Sequence, residues 1–394
     1  MSRAILRAGR VQPVWAGHPW VFAQAIERVE GAPGPGDVIE VVDGKGNHLG
    51  RGFWSPGSAI PIRIVTRRPD EALDEAALAR RIDAAAALRR ELGLPSADTD
   101  GYRLVHAEGD GLPGLIVDVY RDVAVAQLLT IGMKRREEAL FAAIARATGA
   151  KTVLEVPGGR AQASEGIEVR PRVVRGPGTT TLRFRERGFE YEIPLALAQK
   201  TGFYFDQRDN RALVERLAQG RRVLDLYSYV GPFSLAAARG GAREVLAFDS
   251  SAAVVAEGAA IASANGLGER VRFARGDAKN VLGQLIAERR RFDLVIVDPP
   301  KLAPTVRHLA RAQAAYRRLN ARALEVLERG GILVSCSCSA ALRPDDLLRV
   351  IALAARDAAR EVTLLAMGQQ GVDHPVPVAF PEGRYLKCAV ARAP

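Results

Sequence analysis

Only three cysteines occur in the 394 residues, Cys336, Cys338 and Cys388. They are too few and too clustered for a disulfide framework, so a reducing cytoplasm is the expected compartment. No run approaches the ~20 apolar residues needed to cross a bilayer, and the start, MSRAILRAGR, lacks the apolar core of an export signal. No membrane partner is expected. Histidine is scarce too: His106, His308 and His374 stand alone, without metal-ligand spacing, and no metal is expected. Internal repeats and low-complexity tracts are absent.

What remains is a globular composition, 48% hydrophobic and 26% charged, with a formal net charge of +11. Most of the positive charge is arginine, whose planar guanidinium suits phosphate oxygens, and a chain this basic often binds nucleic acid. Residues 1–70 read as a β-rich unit, with alternating runs such as GDVIEVVD and SAIPIRIVT broken at GAPGPG, DGKGN and SPGS. Residues 71–95 switch to an alanine-rich helical connector. Residues 96–190 mix strands and a helix in a small α+β domain, with GDGLPG (Gly109 to Gly114) as a hairpin signal. From 191 to 394 short β-branched strands alternate with helices. Those strands are apolar on both faces, which predicts a mostly parallel, doubly wound α/β sheet.

In such sheets the ligand lies beyond the carboxyl ends of the strands. The first strand leads into Asp225-Leu-Tyr227-Ser-Tyr-Val-Gly231-Pro-Phe-Ser234. This is not the GxGxxG fingerprint, and a glycine-poor turn offers no cradle for a pyrophosphate. A cofactor without phosphate fits better, namely S-adenosylmethionine. Asp225 would face its amine and sulfonium, with Tyr227 beside it and Gly231 admitting close backbone approach. Asp249, ending strand two, would accept the ribose hydroxyls, and Asp277, after strand three, the adenine amino group. Strand four ends in Asp298-Pro-Pro-Lys301. One such acid is more often structural, but four at successive strand ends predict a methyltransferase.

Strand five ends in Ser335-Cys336-Ser337-Cys338-Ser339. Strands four and five are neighbours in the usual order, so Asp298 and Cys338 are expected side by side. A thiol beside a carboxylic acid is the pair needed to methylate carbon 5 of a pyrimidine. Buried strand cysteines are usually small hydrophobes, and Cys388 is read as one. Cys338, nearer the rim, is the expected nucleophile, with Cys336 as a packing residue.

At this point the chain resembles a known family, the bacterial 23S ribosomal RNA 5-methylcytosine methyltransferases of the RlmI type. The likeness spans the whole chain. It rests on His18-Pro19-Trp20-Val21-Phe22, on AEGDGLPGLIVDVY, on the Gln199-to-Asn210 stretch QKTGFYFDQRDN, and on DPPK, SCS and Asp373-His374-Pro375. The resemblance implies a PUA domain, a small central domain and a Rossmann-like class I methyltransferase domain. It also implies that Lys200, Thr201, Phe203 and Gln207 close over the cofactor, and it places Cys338 at the nucleophile position. Many RNA 5-methylcytosine enzymes carry a second cysteine after the Asp-Pro of strand four, where this chain has Lys301, so the base for the carbon-5 proton is unassigned. Pro232 stands where many methyltransferases have a second glycine.

The expected partner is ribosomal RNA, as 23S rRNA or as a large-subunit assembly intermediate, and homodimerisation is left open. Arg289, Arg290, Arg291, Lys301, Arg307, Arg311, Arg317, Arg318 and Arg322, with Tyr316 among them, crowd the proposed site, and half of this charge is assigned to RNA. Arg3, Arg7 and Arg10 fit a second RNA surface with Trp15 and Trp20, unless those tryptophans are core. Two competing readings are an amino-group RNA methyltransferase, which needs no cysteine, and a non-catalytic RNA-binding or ribosome-assembly protein.

Overall fold

A computed structural model describes residues 2–303 and 306–394. The chain forms two compact units, one of Met1–Phe205 with Val372–Gly383 and the other of Asp206–Gly371 with Arg384–Pro394.

The first unit opens with a six-stranded sheet between Ser2 and Thr66. Inward residues such as Ala4, Leu6, Ile39, Val41, Ile62 and Ile64 alternate along its strands and form its core. The helix Glu75–Glu91 follows, capped by the Asp74 carboxylate, which accepts the Ala77 N–H at 2.8 Å. A five-stranded sheet then runs from Gly101 to Arg175. Its strands Gly101–His106 and Leu115–Tyr120 pair antiparallel across GDGLPG, as the hairpin signal implied. The link is longer than a tight turn, because a single 3-10 turn over Ala107–Asp110 precedes Gly111 at φ 66°. A hairpin of Thr181–Glu186 and Phe189–Pro194 completes the strands of this unit.

The residues after that hairpin stay with the first unit. Phe203 and Phe205 join Tyr120, Phe184 and Tyr191 in an aromatic cluster with ring centroids 5.0–5.4 Å apart. Val372–Gly383, late in the chain, also belongs there. The buried Asp373 carboxylate accepts the Arg103 N–H at 3.0 Å, and Arg89 donates to the Asp373 carbonyl at 2.7 Å.

The second unit holds a seven-stranded sheet. In chain order its strands are Arg222–Leu226, Glu244–Asp249, Val271–Arg275, Phe292–Val297, Leu327–Ser337, Thr363–Gly368 and Lys387–Ala393. They lie side by side as third, second, first, fourth, fifth, seventh, sixth. The first five are parallel, and the seventh runs antiparallel to both its neighbours. Val295, Ile296 and Val297 are consecutive and all 0% exposed, so helices cover both faces, as the unbroken apolar runs predicted. Strand order reverses between the first and fourth strands, and a crevice at their carboxyl ends follows from that topology.

Candidate active site

Each acid singled out in the sequence lies at the carboxyl edge of this sheet, but in its own environment. Asp225 lies one residue inside the first strand and is 1% exposed. Ser234 donates to its carboxylate at 2.6 Å. Burial raises its pKa to about 7, and the negative charges of Asp298 and Asp249 push the same way. Asp249, ending the second strand, accepts the N–H of Tyr229 at 3.1 Å and of Ser251 at 3.0 Å. Asp277 caps the helix Ala278–Ala287 through the N–H groups of Lys279 and Asn280, so part of its role is structural. Its charge also reaches Tyr227, whose hydroxyl is pushed up by burial first and by Asp277 second.

The loop between the first strand and its helix is unusual. Tyr227, at φ 63°, and Tyr229, at φ 51°, both hold the left-handed conformation that bulky residues avoid. Such a backbone persists where surrounding contacts over-determine it, here partly the Asp249–Tyr229 bond. Gly231 is left-handed as well, at φ 82°. Packing gives a reason for glycine here: a Cβ would come within 2.4 Å of the Phe273 ring.

Asp298 follows the fourth strand and is aimed by a relay of amides. Gln207 donates to its carboxylate at 3.0 Å, Asn210 donates to Gln207 at 2.6 Å, and Asn210 also reaches the Gln369 carbonyl at 3.3 Å. Gln207 is buried, orients Asp298, and also bonds toward the Cys336 thiol. On the fifth strand, Val297 of the fourth pairs with Ser335, which sets Asp298 level with Cys336 and brings Cys338 one step further toward the rim. Cys336 is 0% exposed and paired across the ladder with Cys388. Its thiol is pushed well above the ordinary range, by contact with Cys388 first and burial second. Cys338 lies just past the strand end and is only half-buried.

Other predicted residues have partners within their own units. Thr201 and Phe203 are each 2% exposed within the first unit. The Thr201 hydroxyl donates to the buried Asp118, and the Phe203 N–H donates to the Tyr120 hydroxyl at 2.8 Å. Lys200, at φ 56°, sets its ammonium over the Tyr204 ring at 4.9 Å. His374 is 2% exposed, bonded to Asp373 at 2.9 Å and beside His106 in the first unit. Arg289, Arg290 and Arg291 precede the fourth strand, roughly 20 Å from Asp298 at about 3.3 Å per residue. Tyr316 is fully buried, with its hydroxyl on Ser337 at 2.9 Å. Asn210, which holds Gln207 against Asp298, was given no role of its own in the sequence reading, and its place in QKTGFYFDQRDN was the available signal.

The donor set fits S-adenosylmethionine. The strongest charges acting on the buried Asp225 are two further carboxylates, an arrangement that favours a cationic ligand, and the turn holds no glycine cradle for phosphate. A parallel sheet of this order with acids along its carboxyl edge defines the class: an S-adenosylmethionine-dependent methyltransferase of the Rossmann-like kind. The family model described as S-adenosylmethionine-dependent methyltransferase matches residues 112–367, and a PUA-like domain matches residues 4–67. A protein from Streptococcus mutans described as a methyltransferase of this class superposes with a TM-score of 0.85 at 19% identity, covering 100% of both chains. A further fold match, at a TM-score of 0.86, is a methyltransferase structure solved with S-adenosylhomocysteine. The ribosomal RNA large subunit methyltransferases I of Erwinia tasmaniensis and Shewanella denitrificans are 37% and 38% identical to the chain. The alignments cover 98% and 99% of each partner. The chain belongs to the ribosomal RNA large subunit methyltransferase I family.

Proposed function

We propose that the enzyme methylates carbon 5 of a cytosine in large-subunit ribosomal RNA, with Cys338 as the nucleophile. The observation that carries the reading is the contrast between two cysteines two residues apart. Cys336 is sealed against Cys388, whereas Cys338 stands half-open at the rim beside the Asp298 strand. The relatives' names supply large-subunit rRNA as the substrate class. S-adenosylmethionine supplies an electrophilic methyl on a sulfonium.

The Cys338 thiolate adds to carbon 6 of a cytosine drawn out of its stack, forming the S–C6 bond and moving the C5–C6 electron pair onto the ring. Asp298, oriented by Gln207, protonates N3 and takes up the charge that builds there. Carbon 5, now enamine-like, takes the methyl as the methyl–sulfur bond breaks. A base removes the carbon-5 proton, N3 returns its proton to Asp298, the C5–C6 double bond re-forms, and Cys338 leaves as thiolate. Asp225, Asp249 and Asp277, with Tyr227, line the cofactor's place. Lys301, Arg307 and Arg311 are exposed near the carboxyl end of the fourth strand and are assigned to RNA phosphates. The three free cysteines suit a cytoplasmic enzyme.

RNA carrying 5-fluorocytosine at the target tests this, because fluorine cannot leave as a proton and the adduct persists. Wild type and Cys336→Ala should form a denaturation-resistant protein–RNA complex, and Cys338→Ala should form none. Trapping by Cys338→Ala but not by Cys336→Ala would reverse the assignment. Methylation without any trapped complex would move the target to an exocyclic amine.

A further inference from the structure

We propose that Asn210 is a positioning residue that holds the Gln207 amide with its NH2 toward Asp298, and so assigns the acid's proton to Oδ1. The role deepens the covalent reading above and rests on Asp298 acting there as the acid at N3. Gln207 caps the helix Arg208–Leu217 at its N-terminus, and Asn210 stands in the first turn, so the two side chains share a face. Both are 3% exposed. An amide presents a carbonyl on one side and an NH2 on the other, and its partners fix which way it faces. Here a backbone carbonyl makes the choice. The Gln369 carbonyl can only accept, so the Asn210 atom 3.3 Å from it is the NH2. The same NH2 lies 2.6 Å from Gln207, whose facing atom must then be the carbonyl Oε1. That leaves the Gln207 NH2 for the Asp298 Oδ2, at 3.0 Å.

The packing agrees. Gly368 ends the sixth strand, immediately before Gln369, and a Cβ at Gly368 would overlap the Asn210 Oδ1. A residue without a side chain there leaves room for Asn210 beside the Gln369 carbonyl. Gly368 pairs with Cys388, and Cys388 with Cys336, so the Asn210 end of the relay is level with the Cys336 thiol. The Gln207 amide donates toward that thiol as well, a contact that opposes the rise of its pKa. One N–H for Asp298 and one for the Cys336 sulfur use both donors of the amide. Turned over, Gln207 would set its carbonyl against the Asp298 carboxylate and its NH2 against the Asn210 NH2. A protonated Asp298 could relieve the first of these contacts only by committing its proton, on Oδ2, to Gln207, where N3 could not take it. With Gln207 held as a donor, Oδ2 accepts, and Oδ1 carries the proton that goes to N3 and returns.

Asn210 touches no reacting atom in the reaction above, so its effect must pass through Gln207, and a double-mutant cycle on kcat reads that coupling. Methyl transfer from S-adenosylmethionine to large-subunit rRNA is measured at saturating substrate, and cofactor affinity by calorimetry. Asn210→Leu keeps the outline of the side chain and removes both N–H groups. It should lower kcat roughly tenfold or more while cofactor affinity and KM for RNA stay within about twofold, the split expected when orientation alone is lost. In a Gln207→Leu background the same change should cost less than about twofold. Asn210→Asp has the same shape, accepts from the amide and donates nothing, and should be at least as slow as Asn210→Leu. A kcat within about twofold of wild type in either Asn210 variant overturns the proposal. So does an equal loss from Asn210→Leu in the two backgrounds, which a merely structural asparagine would give. Should Asn210→Leu not fold, Asn210→Asp takes its place in the cycle. Methylation by Cys338→Ala would end the covalent reading alone, because the cycle reads the Asn210–Gln207 coupling whichever atom of the base takes the methyl.

Discussion

Asp225, proposed above to line the cofactor's place, would tie cofactor binding to pH through one buried side chain. Its pKa is raised from 3.8 to about 7 in the folded protein, so folding without the cofactor favours the protonated acid. At about 1.36 kcal/mol per unit, keeping it ionised above pH 7 costs on the order of 4 kcal/mol. The stability it contributes is fully present below about pH 3.8 and is lost as pH rises from there to about 7. A cationic ligand reverses this preference, because it favours the carboxylate and expels the proton. S-adenosylmethionine affinity should therefore strengthen from pH 6 to pH 7.5, with proton release visible as a buffer-dependent enthalpy in calorimetry. Affinity and enthalpy that ignore pH and buffer in this range would separate Asp225 from the cationic part of the cofactor.

At the scale of the element, the loop from Tyr227 to Gly231 is shaped by three left-handed residues and one carboxylate anchor. Pro232 opens the following helix at a position where its missing N–H is no loss, so the departure from a second glycine is absorbed. Gly231 has no such latitude. Alanine there meets both the left-handed penalty, about 1–2 kcal/mol, and overlap with Phe273, typically about 1–3 kcal/mol. Gly231→Ala should lower unfolding stability by roughly 2–4 kcal/mol in urea melts, and weaken cofactor binding along with it. A variant as stable as wild type would mean that the loop and the Phe273 ring yield more easily than their geometry indicates.

The whole molecule carries a net charge of +11, and its distribution matters more than its size. Part of the arginine is structural: Arg317 pairs with Asp357 at 2.6 Å, and Arg89 and Arg103 are buried on Asp110 and Asp118. Exposed Arg307, Arg311 and Lys301 remain for phosphates. In the first unit Trp15 and Trp20 part company. Trp15 is 73% exposed, a surface on which a base can stack, whereas Trp20 packs on Phe380 at 4.7 Å and donates to Glu108. RNA affinity should fall steeply with salt, because every neutralised phosphate releases counterion. A flat dependence between 50 and 200 mM salt, about the range over which such contacts are lost, would assign the charge to another purpose.

Among the described residues no helix is long and apolar enough to cross a membrane. The parallel sheet was legible in the sequence because burial on both faces leaves unbroken apolar runs, and topology then puts acids at strand ends into one crevice. Alternation puts both cysteines on one face, and strand direction alone set Cys338 nearer the rim. Tertiary contacts decided the rest. Thr201 and Phe203 sit five or so residues from Gln207 in a single motif, yet Asp118 and the aromatic cluster claim the former pair while Asp298 claims Gln207. Lys387 stands inside the run YLKCAVARA, and only the antiparallel pairing sets it against Ser337. Local pattern records which face a residue turns to its own element, whereas partners distant in the chain are chosen only when the elements pack.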